Sequence, residues 1–109
     1  EVALMYAESG DTGIQTTLQT VGEMKFAGVT AGNDTGEGFN ATIYLASPSD
    51  SNLYTNVYVD SSYMASTGQA VRVSGTNVRT AAEIVDAIRF FFNGTNITSG
   101  TIRMYGVKK

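Results

Sequence analysis

The sequence has no cysteine, no histidine, no tryptophan and a single proline among its 109 residues. Without cysteine there is no disulfide framework and no thiolate ligand for zinc or an iron–sulfur cluster. Without histidine there is no Ser-His-Asp or Cys-His nucleophile and no imidazole for a metal. Charge is also sparse: Asp, Glu, Lys and Arg make up 16% of the chain, against about 25% in ordinary globular domains. The seven basic residues are scattered and the net charge is −3. No basic stripe is present to follow a phosphate backbone, so nucleic-acid binding is not expected. No apolar run approaches the ~18 residues of a membrane span, and no basic-then-apolar targeting segment opens the chain.

What is abundant is glycine (12 residues), with Thr, Ser and Asn, on a hydrophobic content of 42%. Such a composition favours strands joined by turns. The length suits one domain, since domains cluster at roughly 100–150 residues. Glu1-Val2-Ala3-Leu4-Met5-Tyr6 enters directly on an alternating strand pattern. The expectation is one domain over 1–109, forming the C-terminal part of a longer chain.

Period-two alternation organises the chain. Val2, Leu4 and Tyr6 share one parity, and Ser9-Gly10-Asp11-Thr12-Gly13 follows as a turn cluster. Ile14 to Thr20, polar and Thr-rich, reads as a weak edge strand or an ordered loop, and Gly22 to Gly28 as a short strand with Met24 and Phe26 inward. Gly28 to Gly38 reads as a long loop. Phe39 to Ser47 is a strand with Ile43 and Leu45 on one side and Thr42 and Tyr44 on the other. Ser47-Pro48-Ser49-Asp50-Ser51-Asn52 reads as a turn, with Pro48 suited to its first corner. Leu53 to Asp60 puts Leu53, Thr55, Val57 and Val59 on one face and Tyr54, Asn56, Tyr58 and Asp60 on the other. Ser66-Thr67-Gly68 turns into a strand from Gln69 to Ser74, with Val71 and Val73 inward and Arg72 outward. Gly75 to Thr80 reads as a loop, and Ala81 to Ala87 as one or two helical turns at most.

Ile88 to Asn93 and Gly100 to Val107 have the pattern of a closing hairpin around Asn93-Gly94-Thr95-Asn96. Pairing 92 with 100 would set Ile88 against Met104 and Phe90 against Ile102, the apolar cross-strand pairs that stabilise sheets. It would also oppose Arg89 and Arg103, a like-charge contact that Glu83 or Asp86 would have to neutralise. The whole pattern predicts an all-β fold, an antiparallel β-sandwich of jelly-roll type with about seven to eight short strands.

The C-terminal run Ala87-Ile88-Arg89-Phe90-Phe91-Phe92-Asn93, then Asn96-Ile97-Thr98-Ser99-Gly100-Thr101-Ile102-Arg103-Met104-Tyr105-Gly106-Val107-Lys108, resembles a pattern at the end of many tailed-bacteriophage virion proteins. That pattern runs approximately I-R-F-x-F-x-x-G-N-I-x-x-G-T-I-R-L-Y-G. Leu4-Met5-Tyr6 ahead of Ser9-Gly10-Asp11 is similar, more loosely, to an earlier strand of the same domain. The resemblance implies a C-terminal jelly-roll domain of a fibre, tail appendage or capsid-attached fibre. Members of that family usually carry further strands upstream. It also implies a virion-surface protein, often a homotrimer in contact with other virion proteins, and it supplies no catalytic motif.

Three candidate features bear on chemistry. The face formed by Tyr54, Asn56, Tyr58 and Asp60 combines flat aromatic rings with amide and carboxylate groups, the pattern a sugar ring needs, so a host-surface glycan is the candidate ligand. The competing reading is an outer-sheet or subunit surface chosen for strand propensity. Outward Arg89 and Arg103, with Phe91 and Tyr105, are candidate subunit-interface residues, because the guanidinium fork suits carboxylates and Phe91 falls on the parity opposite Phe90 and Phe92. The carboxylates Glu8/Asp11, Asp34/Glu37 and Glu83/Asp86 are the possible glycosidase pairs, but acids in Gly-rich turns are ordinary turn formers. No D-x-D-x-D-G spacing marks a calcium loop. No enzyme activity, cofactor, metal or membrane insertion is expected. The two readings carried forward are a fibre or appendage tip module attaching to a glycan, and a capsid-decoration or fibre-capping protein with no specific ligand.

Overall fold

The computed structural model describes residues 2–8, 15–19, 26–92 and 96–107, the first two stretches by backbone course and register. The fold is all-β, with no helix among the described residues. Five strands form one antiparallel sheet: β1 (Val2–Glu8), β2 (Gln15–Gln19), β3 (Phe39–Ala46), β4 (Thr55–Met64) and β5 (Ala70–Arg79). Their order across the sheet is β2-β1-β5-β4-β3. The polar Thr-rich segment is therefore an edge strand, and the two strands with the strongest alternation are interior.

Alternation decides which face is packed. Along β4, Thr55, Val57, Val59, Ser61 and Tyr63 are buried, while Asn56, Tyr58 and Ser62 are exposed. Val59 pairs with Ile43 on β3 and Gly75 on β5, so odd-numbered residues of all three strands share the inner face. The core is Val59, Tyr63, Ala65, Val71 and Val73, with Phe26, Ala27, Val29, Ala31, Phe39 and Ile43 packed against it. The hairpin between β4 and β5 closes on Gly68, at φ 79°. Gly68 N–H donates to the Ala65 carbonyl (2.8 Å) and Ala65 N–H to the Gln69 carbonyl (2.8 Å). This is a three-residue loop ending in a left-handed residue, the position where glycine avoids a Cβ clash. The Pro48 turn forms as its sequence predicts, with Asp50 N–H donating to the Ser47 carbonyl at 3.2 Å.

The layer over the inner face is irregular chain, held by two side chains of β4. Ser61 Oγ donates to the Phe26 carbonyl at 2.6 Å. The Tyr63 hydroxyl accepts from Gly28 N–H and Val29 N–H, both at 3.1 Å, and donates to the Val29 carbonyl at 2.9 Å. One phenol thus satisfies three backbone groups that no sheet ladder reaches. The segment then runs to an isolated bridge between Ala31 and Ala65, flanked by Gly32 N–H to the Met64 carbonyl (2.8 Å) and Ser66 N–H to the Thr30 carbonyl (3.0 Å). Farther along, Val85 N–H donates to the Pro48 carbonyl at 2.7 Å. Phe90 lies 6.0 Å from Phe26, and Phe92 meets Phe39 edge-on at 6.0 Å, ring centre to ring centre.

Several expectations change. β4 begins at Thr55 and runs through Ser61-Ser62 to Met64, leaving Leu53 half exposed ahead of it. The predicted loop at Gly75 is the second half of β5, because that strand has partners on both sides: Gly75 opposes Leu4 on β1 and Val59 on β4. Residues 81–87 form no helical turn, and neither 88–92 nor 100–107 forms a strand. The expected hairpin and its Arg89–Arg103 opposition are therefore not formed. Phe90 and Phe92 pack on the inner layer instead, and Glu83 is ion-paired with Arg79 rather than with either of those arginines. The strand expected at 22–28 lies largely outside the described residues; its described end, Phe26, is in irregular chain.

Two inner-face polar side chains mark the opposite case to Tyr63. Among the described residues, Thr55 Oγ1 and the amide atoms of Asn77 are buried with no hydrogen-bond partner. Two substitutions should therefore differ in their effect on stability. Tyr63→Phe leaves the Gly28 and Val29 amides without an acceptor and should cost about 1–3 kcal/mol, whereas the near-isosteric Thr55→Val should be neutral or stabilising. Urea unfolding of the two variants checks this, and a Tyr63→Phe cost below about 0.5 kcal/mol would contradict the assigned role.

Candidate functional site on the outer sheet face

The even-numbered residues of β3, β4 and β5 point away from the core in rows across the strands, three of which form the candidate site. Tyr44, Tyr58 and Thr76 make one row, Thr42, Asp60 and Ser74 the next, and Asn40, Ser62 and Arg72 the third. Threonine and tyrosine suit this position, since they have high strand propensity and tolerate water on one side. With hydroxyl, amide and charged groups around two aromatic rings, the face is chemically distinct from the Val-rich inner side.

Tyr44 and Tyr58 are directly opposite across β3 and β4, with ring centres 6.1 Å apart and planes inclined at 43°. They stay 63% and 44% exposed. The Tyr58 hydroxyl is 3.0 Å from Ser74 Oγ, which fixes the phenol end of that ring. Asp60 reaches diagonally in the same way to Arg72: Nε donates to Oδ1 at 3.2 Å and Nη2 to Oδ2 at 2.9 Å. This two-point geometry fixes both side chains in orientation as well as distance. The hydrogen bonds from Arg72, together with its charge, hold the Asp60 carboxyl below its ordinary value of 3.8, although partial desolvation acts the other way. Asp60 in turn raises the Arg72 pKa.

Beside this pair is an open depression of ≈ 540 Å³ whose polar lining includes Asn40, Thr42, Asp60, Ser62, Arg72 and Thr101. Thr101 comes from the C-terminal segment, so the groove is walled by residues far apart in sequence. Every one of these groups can meet a hydroxyl, either by donating or by accepting.

Of the residues singled out from sequence, Tyr58 and Asp60 belong to this face. Asn56 lies on it too, but its side-chain amide donates to the Tyr54 carbonyl at 3.2 Å. Tyr54 precedes β4 and is exposed. Tyr44, Arg72 and Ser74 complete the site, and sequence reasoning did not assign them to it. Their outward parity was legible; which outward residues become neighbours depends on register, which the long connection from Ser47 to Tyr54 leaves open. The Arg89 guanidinium sits over the Phe91 ring at 5.2 Å, and Arg103 and Tyr105 are exposed on the C-terminal segment. Among the candidate carboxylate pairs, Glu37 accepts from the Asp34 amide at 2.7 Å, the behaviour of a turn former. Glu83 pairs with Arg79, and the Glu8 side chain and Asp11 lie outside the described residues. No group of three or more Asp, Glu, His or Cys capable of holding a metal occurs among the described residues.

No protein-family model matches the chain, and neither a curated protein nor a solved structure matches it.

The depressed carboxyl gives a direct test of the site's electrostatics. A group with a lowered folded-state pKa adds stability above its unfolded value and loses it as pH falls through the folded value. Asp60 should therefore titrate below 3.8, and Arg72→Met should return it to the ordinary range. Carboxyl carbon NMR titration of the two proteins measures this, and identical midpoints would refute the coupling.

Proposed function

We propose that the chain is a virion-surface module of a tailed bacteriophage, carried on a fibre, tail appendage or capsid, and that its outer sheet face attaches to a host-surface glycan. The observation that carries the attachment reading is the exposed Tyr44–Tyr58 pair, with Tyr58 held by Ser74, beside the Asp60–Arg72 ion pair. Flat apolar rings next to oriented donors and acceptors match the two sides of a sugar: a C–H face and an equatorial fringe of hydroxyls. The virion assignment is supported by the C-terminal resemblance through Ile88-Arg89-Phe90 and Gly100-Thr101-Ile102-Arg103.

In this reading the sheet is one layer of a jelly-roll-like sandwich of about seven to eight strands. The second layer is begun by residues 26–32 and 84–92. The module acts as a homotrimer among other virion proteins, with Arg89, Phe91, Arg103 and Tyr105 at subunit contacts, and it carries out no catalysis. One shallow site binds weakly, and several copies presented together multiply the effective affinity. A specific observation favours decoration or capping as the second reading. Ile102, Met104, Tyr105 and Val107 are 63–92% exposed, and burial against a neighbouring virion protein would cover them.

Attachment predicts that Tyr58→Ala lowers adhesion of the multivalent protein to host cells while leaving its melting temperature within a few degrees of the parent. Cell-binding assays and thermal melts of both proteins provide the comparison. Undiminished adhesion by the variant would remove the attachment reading and leave decoration in its place.

A further inference from the structure

We propose that the ligand is an uncharged oligosaccharide spanning two adjoining subsites, one ring stacked on Tyr44 and Tyr58 and the next holding adjacent hydroxyls against the Asp60–Arg72 pair. This rests on the attachment reading and adds the chemical class of the ligand. The first argument is spacing. The Tyr44–Tyr58 row and the Thr42–Asp60 row are two residues apart along the strands, or about 7 Å. That is of the order of one sugar unit, so a linear chain laid along β3 and β4 meets both.

The second argument is charge. Asp60 and Arg72 already neutralise each other through two hydrogen bonds. A carboxylated or sulfated sugar accepting from the remaining guanidinium N–H groups would share Arg72 with the Asp60 carboxylate and meet its repulsion, on a chain whose net charge is −3. An uncharged diol meets no such repulsion. Its hydroxyl hydrogens go to the lone pairs of Asp60 that Arg72 leaves open, and its oxygens accept from the remaining guanidinium N–H groups. The third argument is the lining. Thr42, Ser62 and Thr101 bring hydroxyls and Asn40 an amide, groups that both donate and accept. A hydroxyl also does both, whereas an anion only accepts. Arg72 holds the Asp60 carboxyl below its ordinary value, which favours the charged acceptor form.

The test uses the full chain on an array that sets neutral hexose oligosaccharides beside uronic-acid-containing, sulfated and sialylated counterparts. Binding to neutral members is expected, weakened about tenfold or more in Asp60→Asn through loss of a charged acceptor. Thr101→Val, a change outside the sheet, should weaken it several-fold with the fold intact and serves if Asp60→Asn does not fold. A preference for acidic members overturns the proposal and leaves the attachment reading standing. So does neutral binding that neither substitution changes. Binding to no glycan at all overturns both.

Discussion

The phenol of Tyr63 is the constraint on which this structure turns. A sheet buries one face only if something covers it, and here the described cover is irregular chain whose backbone groups have no ladder to join. An unpaired buried N–H costs a few kcal/mol. The Tyr63 hydroxyl accepts two such groups and donates to a carbonyl, and Ser61 takes a further carbonyl. These two residues of β4 convert a passing loop into a second layer. Once 26–31 is seated, Phe26, Val29 and Ala31 close over Val59, Val71 and Val73, and the opposite face is left to water.

That division separates stability from function. The inner side is Val, Tyr and Ala, where loss of volume leaves a cavity. The outer side is Tyr, Thr, Ser, Asn, Asp and Arg, where substitution alters recognition with little effect on packing. The same period-two rule produces both, and a slip of one residue would exchange them. The outer face is ordered without being covered: Tyr58 is fixed by Ser74 and Asp60 by Arg72, each through a diagonal cross-strand contact. Preorganised groups of this kind lose less freedom when a ligand arrives.

The limits of sequence reading follow from the same physics. The inner parity of Val57, Val59, Val71 and Val73 and the turn at Pro48 were legible, because each depends on local alternation or turn chemistry. Gly75 was misread as a loop signal because β1, the strand that holds it extended on the side away from β4, is distant in sequence. The terminal hairpin was misread because good alternation in Ile88–Phe92 and Thr101–Val107 guarantees a face and not a partner. Half of the candidate site was visible as Tyr58 and Asp60. The other half, Tyr44 and Arg72, required the register of β3 on β4 and of β4 on β5.

The central claim is that β4 side chains pin the 26–31 segment as a structural layer while the outer face stays open. Amide hydrogen exchange of the intact protein followed by NMR measures it most directly. The account predicts that the Gly28 and Val29 amides exchange as slowly as the ladder amides of β4 and β5, while amides of residues 101–107 exchange rapidly. Gly28 and Val29 exchanging at the rate of an unstructured chain would contradict it.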